Sequence, residues 1–430
     1  MPDMPPTAKP AAQKIAIIGG GAAGLTAAWL LQRVAEIHLF EKNDYAGGHT
    51  CTFTIPDGPD AGTPVDLGFI VMNHRNYPLL TKLFEQLAVD LGDSDMSFGY
   101  RCERTGYTYC GSDLGGLFAQ PRNLFNAEHW RMLRDIAAFN RRAKEDLSKN
   151  ALNGDTLGQY LDKGRYSRVF AEHYLLAMGA AIWSAPSSDI RDFPVLPFVR
   201  FFHNHGLLGI NDRPAWKFVR GGSQAYVRSL LRTFRGQIHL NARIAGIRRG
   251  ADGIRLRMTD GSEQTFSHLV LAAHANESLA LLDDPSSREN DLLGAWRYQS
   301  NETVLHTDPV VMPPARRAWA SWNFARAAGE TAQRPVAVTY HMNRLQQLKT
   351  QKQYFVTLNR EAPIPAQHRL HSRTFTHPMY TFASLATQDK LRALNGTANT
   401  YYCGSYMGNG FHEDAVRSAT DVATHFGVTL

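Results

Sequence analysis

The feature that most constrains the fold is a glycine-rich stretch near the start of the chain, residues 14–31. An apolar run, residues 15–18, comes directly before glycines in the spacing Gly-x-Gly-x-x-Gly, and helix-favouring residues 25–31 follow. This order predicts a buried strand, a tight turn and a helix. Glycine is needed for the turn, for the close approach of backbone to a pyrophosphate, and for packing of helix against strand. The stretch therefore predicts a dinucleotide-binding unit with its pyrophosphate at the helix N-terminus.

The end of the next predicted strand supplies a further contact. A second apolar run, residues 37–40, is followed by Glu41, an acid about twenty residues after the glycines, which is placed to bind ribose hydroxyls. The contacts predicted from this part of the chain are those of Gly19, Gly21, Ala22, Ala23, Gly24, Glu41 and Lys42. The turn alone does not distinguish FAD from a nicotinamide dinucleotide.

Composition limits the class of protein. The chain has 430 residues, of which 43% are hydrophobic and 20% charged, as is typical of a globular protein with one large or two smaller domains. With 46 basic and 39 acidic residues the net charge is +7, which suits an anionic cofactor, an anionic substrate or an acidic lipid surface. No Lys/Arg block resembles a nucleic-acid-binding arm, so nucleic acid is not an expected partner. No run of about twenty apolar residues predicts a membrane span.

The cysteines and the first residues of the chain bear on its compartment. The four cysteines are widely spaced and form neither a CxxC pair nor a zinc pattern, so no metal site is predicted from them and a reduced, cytoplasmic protein is expected. Residues 1–13 are rich in Pro and Ala and lack the apolar core of a signal peptide. They are predicted to be a disordered tail.

Further motifs follow in a fixed order. Gly47-Gly48-His49 comes after Glu41, and Val65-Asp-Leu-Gly68 comes next. Residues 216–230 indicate a strand, two glycines and a helix that Ser223 can cap. A hairpin is predicted around residues 251–262, and a buried strand near residues 266–274. Close to the C-terminus, residues 400–405 indicate a strand with a glycine turn, and residues 407–419 a loop and helix.

This combination resembles the flavin-containing amine oxidase superfamily. Trp183-Ser184, residues 201–206 and Gly408-Asn-Gly-Phe-His-Glu-Asp414 resemble one branch of it, bacterial proteins described as predicted NAD/FAD-binding oxidoreductases and implicated in fatty acyl modification. The resemblance covers nearly the whole chain after residue 14. It implies an α/β fold with a glutathione-reductase-type Rossmann FAD-binding domain and a second, amine-oxidase-like α+β substrate domain. It also implies that the dinucleotide is FAD.

The resemblance implies domain boundaries and additional cofactor contacts. The FAD-binding domain is expected to be discontinuous, with residues 14–95, 217–300 and 396–430, and the substrate domain to contain residues 96–216 and 301–395. The family usually has Arg where this chain has His49, which implies a weaker or pH-dependent phosphate contact. The added contacts are Gly48, His49, Ile244 (to adenine through its backbone), Gly404, Ser405, Phe411, Asp414 and Ala415.

The substrate region is expected to be helical over residues 121–181 and to continue as a strand over residues 201–208. On a strand, His203 and His205 share one face, which allows a metal site, a polar edge beside an apolar pocket, or structural histidines. The residues predicted to face the flavin ring are Trp183, His203, His205, Tyr406 and His412. Cys403 and His412 lie near the expected ring position, so a covalent flavin is one alternative.

The implied chemistry is removal of a hydride from a substrate carbon to flavin N5. Many amine oxidases of the superfamily have a lysine on the returning strand, but this chain has none between Ser300 and Arg334. Desaturation or oxidation of a hydrophobic fatty acyl or phospholipid substrate, with peripheral contact at the inner membrane face, is the favoured hypothesis. The alternatives are amine or amino-acid oxidation, isoprenoid desaturation, and a non-catalytic flavoprotein partner of a lipid-modifying enzyme.

Overall fold

The structure is a computed structural model that describes residues 13–152, 154–209, 213–327, 329 and 337–430. Except for Gln13, the predicted disordered tail lies outside the described residues. The chain divides into two compact units. The first contains the chain up to Gly48, Leu230–Gly294 and Gln388–Leu430, and the second contains His49–Ser229 and Ala295–Thr387.

The described strands are numbered in chain order. They are β1 Lys14–Ile18, β2 Glu36–Phe40, β3 Thr52–Thr54, β4 Pro64–Asp66, β5 Val71–Met72, β6 Leu91–Ser94, β7 Phe98–Cys102, β8 Thr108–Cys110, β9 Trp216–Val219, β10 Gln237–His239, β11 Ile244–Gly250, β12 Gly253–Met258, β13 Glu263–Phe266, β14 His268–Leu271, β15 Tyr298–His306, β16 Trp322–Arg326, β17 Ala337–His341, β18 Phe355–Leu358, β19 Arg369–Pro378 and β20 Thr400–Tyr402.

The α-helices are numbered in the same way. They are α1 Ala22–Leu31, α2 Pro78–Gln86, α3 Leu114–Leu117, α4 Ala127–Ser148, α5 Leu157–Lys163, α6 Arg168–Phe170, α7 Leu176–Trp183, α8 Ser187–Arg191, α9 Val195–Asn204, α10 Gln224–Thr233, α11 Ala275–Leu281, α12 Ser287–Leu293, α13 Met342–Leu345, α14 Phe382–Leu385, α15 Gln388–Arg392 and α16 His412–Thr424.

The first unit is built on a five-stranded parallel sheet with the order β10-β2-β1-β14-β20. Its central strand β1 is apolar over Ile15–Ile18 because parallel strands in such sheets are covered on both faces. Helix α1 packs against α16. Strands β11, β12 and β13 form the predicted antiparallel hairpin insertion. This arrangement confirms the predicted α/β class with a Rossmann-type nucleotide-binding unit.

The second unit contains a mixed seven-stranded sheet with the order β19-β15-β18-β17-β16-β7-β8. Tyr100 and Tyr109 are buried in this sheet and pair in register across β7 and β8. Helices α4 to α7 account for the predicted helical region, residues 121–181. Within it, Ala171–Leu175 forms a π-helical turn between α6 and α7.

The strand predicted over residues 201–208 is wrong. Residues 201–204 form the last turn of helix α9, and His205 and the residues after it follow the helix. Phe198, Phe201, Phe202 and His205 recur with helical spacing and are all buried, whereas His203 is exposed. Residues that are two positions apart in a helical turn point to different sides, so His203 and His205 do not share a face. The metal site that required a shared face is therefore not formed by this pair.

The compact units and the predicted domains are divided differently. Residues 49–95 and 217–229, which were predicted to belong to the FAD-binding domain, lie in the second compact unit. The predicted domains were defined by cofactor binding rather than by compactness, so their boundaries stay a prediction.

Two further properties follow from the described residues. All four cysteines are buried free thiols. None of the helices described in the structure combines the length and the apolar character that crossing a membrane requires.

Candidate functional site

The glycine turn between β1 and α1 is packed tightly at two of its three glycines and is open at the third. A Cβ atom at Gly24 would lie 1.8 Å from the carbonyl oxygen of Gly19, and one at Gly19 would lie 2.8 Å from the carbonyl oxygen of Ala272. Gly19 also has φ +106°, which favours glycine. A Cβ at Gly21 would meet no atom within 4 Å. Gly21 therefore borders the space in which a ligand can approach the backbone.

The N-terminus of α1 suits an anion. Gly21 precedes the helix and provides no side-chain cap, and the first turn contains no acidic residue. The first N–H groups of a helix have no partner within the helix and carry the positive end of its dipole. With the open position at Gly21, this end of α1 fits a pyrophosphate, as the glycine spacing predicted.

Glu41 lies directly after β2, beside the glycine turn, and is 5% exposed. Its Oε2 accepts a hydrogen bond from the N–H of Gly20 (2.6 Å), and its Oε1 accepts from the N–H (2.9 Å) and the side-chain amide (2.6 Å) of Asn43. The carboxylate is thus fixed where a ribose bound next to the pyrophosphate can reach it. Lys42, by contrast, is exposed and pairs with Glu277 at 2.7 Å.

The second glycine pair runs alongside the first turn. Gly47 donates its N–H to the carbonyl of Gly20 (2.8 Å) and forms a bridge with Gly21. Gly48 has φ +59°, and a Cβ there would lie 3.1 Å from the Cα of Gly21. Glycine is needed at position 48 because the backbone around Gly48 passes directly against the backbone of Gly21. His49 begins the second unit, where its ring packs at 4.9 Å from Phe375 and 5.0 Å from His377.

The C-terminal segment of the first unit forms a loop held by its own side chains. Asp414 accepts from the N–H groups of Asn409 (2.9 Å) and Phe411 (3.1 Å), and burial raises the pKa of this carboxyl. A Cβ at Gly408 would lie 2.2 Å from Oδ1 of Asp414. Gln388, which sequence reasoning missed, donates to the carbonyls of Tyr406 (2.9 Å) and Gly408 (2.6 Å).

The other residues predicted in this segment lie along the same path. Gly404 donates its N–H to the hydroxyl of Ser418 (2.9 Å), Ser405 begins the following 3-10 turn, and Ala415 donates to the carbonyl of Phe411 (3.1 Å). Ile244 begins β11, where the register with β12 shifts by a bulge. All belong to the first unit, as does the glycine turn.

Cys403 and His412 are the two side chains of this segment that could attach a flavin covalently. Burial raises the pKa of the Cys403 thiol to about 12 and lowers the pKa of His412 to about 3. The thiol therefore stays protonated and the imidazole stays neutral near pH 7. Only the thiolate form of cysteine is a good nucleophile. This environment disfavours covalent attachment through Cys403.

In the second unit, Trp183 ends helix α7 inside a cluster of aromatic rings. Its ring lies 4.8 Å from Phe193, 4.9 Å from Phe201 and 5.5 Å from Phe198. The indole N–H is buried and has no hydrogen-bond partner among the described residues. Tyr380 extends the cluster at 5.8 Å from Phe193. We name these five residues the Trp183 cluster.

The two histidines of α9 have different environments. His205 is buried and stacks on Phe201 at 3.8 Å, and its Nδ1 lies 2.9 Å from the carbonyl of Phe201. Burial lowers the pKa of His205 to about 4, so its ring is neutral near pH 7. These contacts suit a structural histidine. Trp183, His203 and His205 belong to the second unit, whereas Tyr406 and His412 belong to the first.

Sequence reasoning also missed two buried polar groups in the second unit. His173 lies in the π-helical turn, stacks on Tyr100 at 5.0 Å, and has a buried Nδ1 with no partner among the described residues. Asp66 accepts hydrogen bonds from the N–H (2.7 Å) and hydroxyl (2.8 Å) of Ser223, from Thr52 (2.6 Å) and from Gln346 (2.9 Å). In the sequence, the position of Asp66 inside the apolar run 65–72 already indicates a buried carboxyl group.

Comparison with known proteins decides the family. A family model described as flavin containing amine oxidoreductase matches residues 22–310, well over half of the chain. The chain belongs to this family. The cofactor is accordingly FAD, and the open glycine turn, the free end of α1 and the fixed carboxylate of Glu41 fit it.

Individual relatives are distant. An L-amino-acid oxidase of Siganus canaliculatus is 24% identical over 315 residues, which cover 68% of this chain and 56% of the relative. The chain spans about half the length of the curated relatives it matches. A variant of putrescine oxidase has a TM-score of 0.67 at 15% identity, over 96% of this chain and 98% of that one. A CLA-producing fatty acid isomerase from P. acnes has a TM-score of 0.64 at 16% identity with the same coverage. These likenesses show the amine-oxidase-like fold predicted for the chain.

Proposed function

We propose that this protein is an FAD-dependent oxidoreductase that moves a hydride from a carbon of an apolar, acyl-type substrate to FAD while a neighbouring atom of the substrate releases a proton, and thereby desaturates or oxidises the substrate. The observation that carries the proposal is the Trp183 cluster. The three rings that contact Trp183 are phenylalanines, and the nearby His205 is neutral because burial lowers its pKa to about 4. Hydrocarbon chains suit such surroundings.

A charged substrate fits these surroundings less well. Amino acids and polyamines carry ammonium or carboxylate groups, which a buried site must pair with opposite charge or hydrogen bonds. The three phenylalanine rings that contact Trp183 supply neither, and the indole N–H of Trp183 can donate only one hydrogen bond. The chain also lacks a lysine between Ser300 and Arg334, where many amine oxidases of the superfamily have one. Both observations favour an acyl chain over an amine.

The cofactor supplies the redox step, since bound FAD accepts a hydride at its N5 atom. The chain's own residues hold the cofactor and shape the surroundings of the substrate. The N–H groups at the start of α1 would stabilise the pyrophosphate charge of bound FAD, and the Glu41 carboxylate beside them would accept hydrogen bonds from its ribose. The Trp183 cluster excludes water from an apolar chain.

A second candidate function is amine or amino-acid oxidation. The curated relatives are L-amino-acid oxidases, and putrescine oxidase shares the fold as closely as the fatty acid isomerase does. The fold hosts both chemistries, so it does not choose between them. A third candidate is a flavoprotein without turnover that assembles with a lipid-modifying enzyme.

Anaerobic reduction of the flavin tests these candidates. The purified holoprotein is mixed without oxygen with detergent-dispersed phospholipid, with putrescine and with an L-amino acid, and loss of the visible flavin absorbance is followed. We expect bleaching by phospholipid alone. Bleaching by the amine or amino acid would overturn the proposal in favour of the second candidate. Absence of bleaching together with a co-purifying enzyme would favour the third.

A pair of tryptophan variants tests the location of the substrate. Trp183→Phe keeps a ring in the cluster but changes its shape, so we expect the rate of bleaching by phospholipid to fall about tenfold. Trp322→Phe is the matched control, because its buried indole nitrogen also has no partner among the described residues. It should leave the rate unchanged. Equal effects of both substitutions would contradict the assignment of the Trp183 cluster.

A further inference from the structure

We propose that one exposed surface of the second unit binds the face of an anionic phospholipid bilayer. We name it the Phe125 surface, and it consists of Leu114, the 3-10 turn Pro121–Phe125, Trp130, Val310 and Arg316–Arg317. The inference goes beyond the proposed function, because binding to a bilayer and oxidation of a substrate are separate measurements.

The surface concentrates exposed apolar side chains. Phe125 is 91% exposed and Leu114 is 75% exposed. Val310 at 71%, Trp130 at 50% and Leu124 at 47% complete the set. Five of the nine large hydrophobic side chains that are exposed in the described part of the chain therefore belong to this surface. Clustered exposed apolar groups mark binding surfaces, whereas single ones need no explanation.

Some of these segments contact each other directly, and others share neighbouring residues and a cavity. The indole N–H of Trp130 donates to the carbonyl of Leu124 (2.9 Å). Arg122 in the 3-10 turn donates to the carbonyl of Gly106 (2.8 Å), and Arg101 donates to the carbonyl of Val310 (3.3 Å). A small cavity of about 150 Å³ lies beside these two contacts, and its lining includes both Arg101 and Gly106. Helix α3, which begins at Leu114, packs beside the turn Arg316–Ala318.

The geometry of Trp130 suits a membrane interface. Its only polar group is already hydrogen-bonded to backbone, so the ring can leave water without exposing an unpaired donor. Phe118 supports it from the protein side, with ring centroids 5.4 Å apart. Trp and exposed Phe are the residues that proteins place at the level of lipid headgroups.

The charge of the surface selects anionic lipid. Arg122, Arg316 and Arg317 form no ion pair with any described carboxylate. Two of the acids nearby are paired with other cations, since Glu128 pairs with Arg131 (2.6 Å) and Glu103 lies 3.9 Å from Arg360, whereas Asp113 accepts only the N–H of Gly116 (2.7 Å) among the described residues. Unpaired arginines around apolar side chains complement phosphate headgroups and are attracted to a negative membrane surface. A neutral apolar partner would give them no counter-charge.

Vesicle flotation tests the proposal with the full-length holoprotein. Vesicles of phosphatidylcholine alone are compared with vesicles that also contain phosphatidylglycerol. We expect binding to the anionic vesicles that weakens in high salt, and little binding to the neutral ones. Phe125→Ser should weaken binding about tenfold, as expected when one large apolar side chain no longer leaves water. Arg316→Gln with Arg317→Gln should weaken it about fivefold for each arginine.

Phe382→Ser is the matched control, because Phe382 is also exposed (47%) but begins helix α14 outside the defined surface. It should bind anionic vesicles like the wild type. No binding by the wild type, or equal losses in Phe125→Ser and Phe382→Ser, would overturn the inference. The inference would also be overturned if the wild type formed dimers and bound no vesicles, and if Phe125→Ser dissociated these dimers. Vesicle binding without flavin bleaching would leave this inference intact and overturn the proposed substrate.

Discussion

Two glycines of the same turn should respond to alanine in opposite ways. Gly24→Ala places a Cβ atom 1.8 Å from the carbonyl oxygen of Gly19, although real Cβ atoms essentially never approach closer than 3.0 Å. Helix α1 and strand β1 must then separate by more than an ångström in a closely packed core. We expect the free energy of unfolding of the apoprotein to fall by about 3 kcal/mol.

Gly21→Ala adds the same methyl group where the protein has no atom within 4 Å. Gly21 has φ −76° and ψ −175°, which alanine adopts without strain. Alanine is a poorer residue than glycine before a helix by a few tenths of a kcal/mol, and the loss of chain entropy in the unfolded state offsets this. The stability of the apoprotein should therefore change by less than about 1 kcal/mol. The methyl group nevertheless fills the place of the pyrophosphate, so the Kd for FAD should rise at least about a hundredfold.

Urea unfolding of both apoproteins and titration with FAD, followed by flavin fluorescence, separate these effects. Gly24→Ala should unfold at lower urea, whereas Gly21→Ala should unfold with the wild type but bind FAD weakly. If Gly21→Ala bound FAD with wild-type affinity, the space beside Gly21 would not be the pyrophosphate site. If it lost as much stability as Gly24→Ala, the position beside Gly21 would not be open in the folded protein.

Three other outcomes follow from buried groups. Burial raises the pKa of Asp66 from 3.8 to about 6. The stability that its protonated form contributes should therefore be lost as pH rises from about 4 to about 7. Urea unfolding should show this loss in the wild type but not in Asp66→Asn. Burial alone would raise the pKa of Glu289, but Arg249 at 2.5 Å lowers it to about 2. Glu289→Gln should therefore cost about 3 kcal/mol above pH 5, and this difference should disappear as pH falls toward 2. Because burial raises the pKa of Cys403 to about 12, attachment of the flavin through this thiol is disfavoured, and acid precipitation should release the flavin into the supernatant. A yellow pellet in the wild type that becomes colourless in Cys403→Ser would contradict this expectation.

The sequence was sufficient to predict those parts of the structure that depend on residues close together in the chain. The turn at Gly19–Gly24 and the acid at Glu41 are set by spacing within one strand–turn–helix unit, so they could be predicted in place. The residues around His205 were misassigned because alternation of His203 and His205 imitates a strand, while the phenylalanines before them repeat with helical spacing.

Long-range pairing explains what could not be predicted. Strand β7 pairs in parallel with β16, more than two hundred residues later, and no local pattern records that choice. Asp66 accepts hydrogen bonds from Thr52, 14 residues away in the chain, but also from Ser223 and Gln346, which are 157 and 280 residues away. A buried carboxylate can be suspected from sequence, but its donors become visible only when the fold brings them together.

The position of β20 has a consequence for how the protein is made. The parallel sheet of the first unit begins with residues 14–18 and is completed at its edge by Thr400–Tyr402, next to β14. At on the order of ten residues per second, tens of seconds separate the synthesis of these strands on the ribosome. During that time the glycine turn exists without the C-terminal strand and without α16, which packs on α1. Stable capture of FAD is therefore expected to wait for nearly the whole chain, so that a prematurely terminated product would carry the nucleotide motif but not retain the flavin.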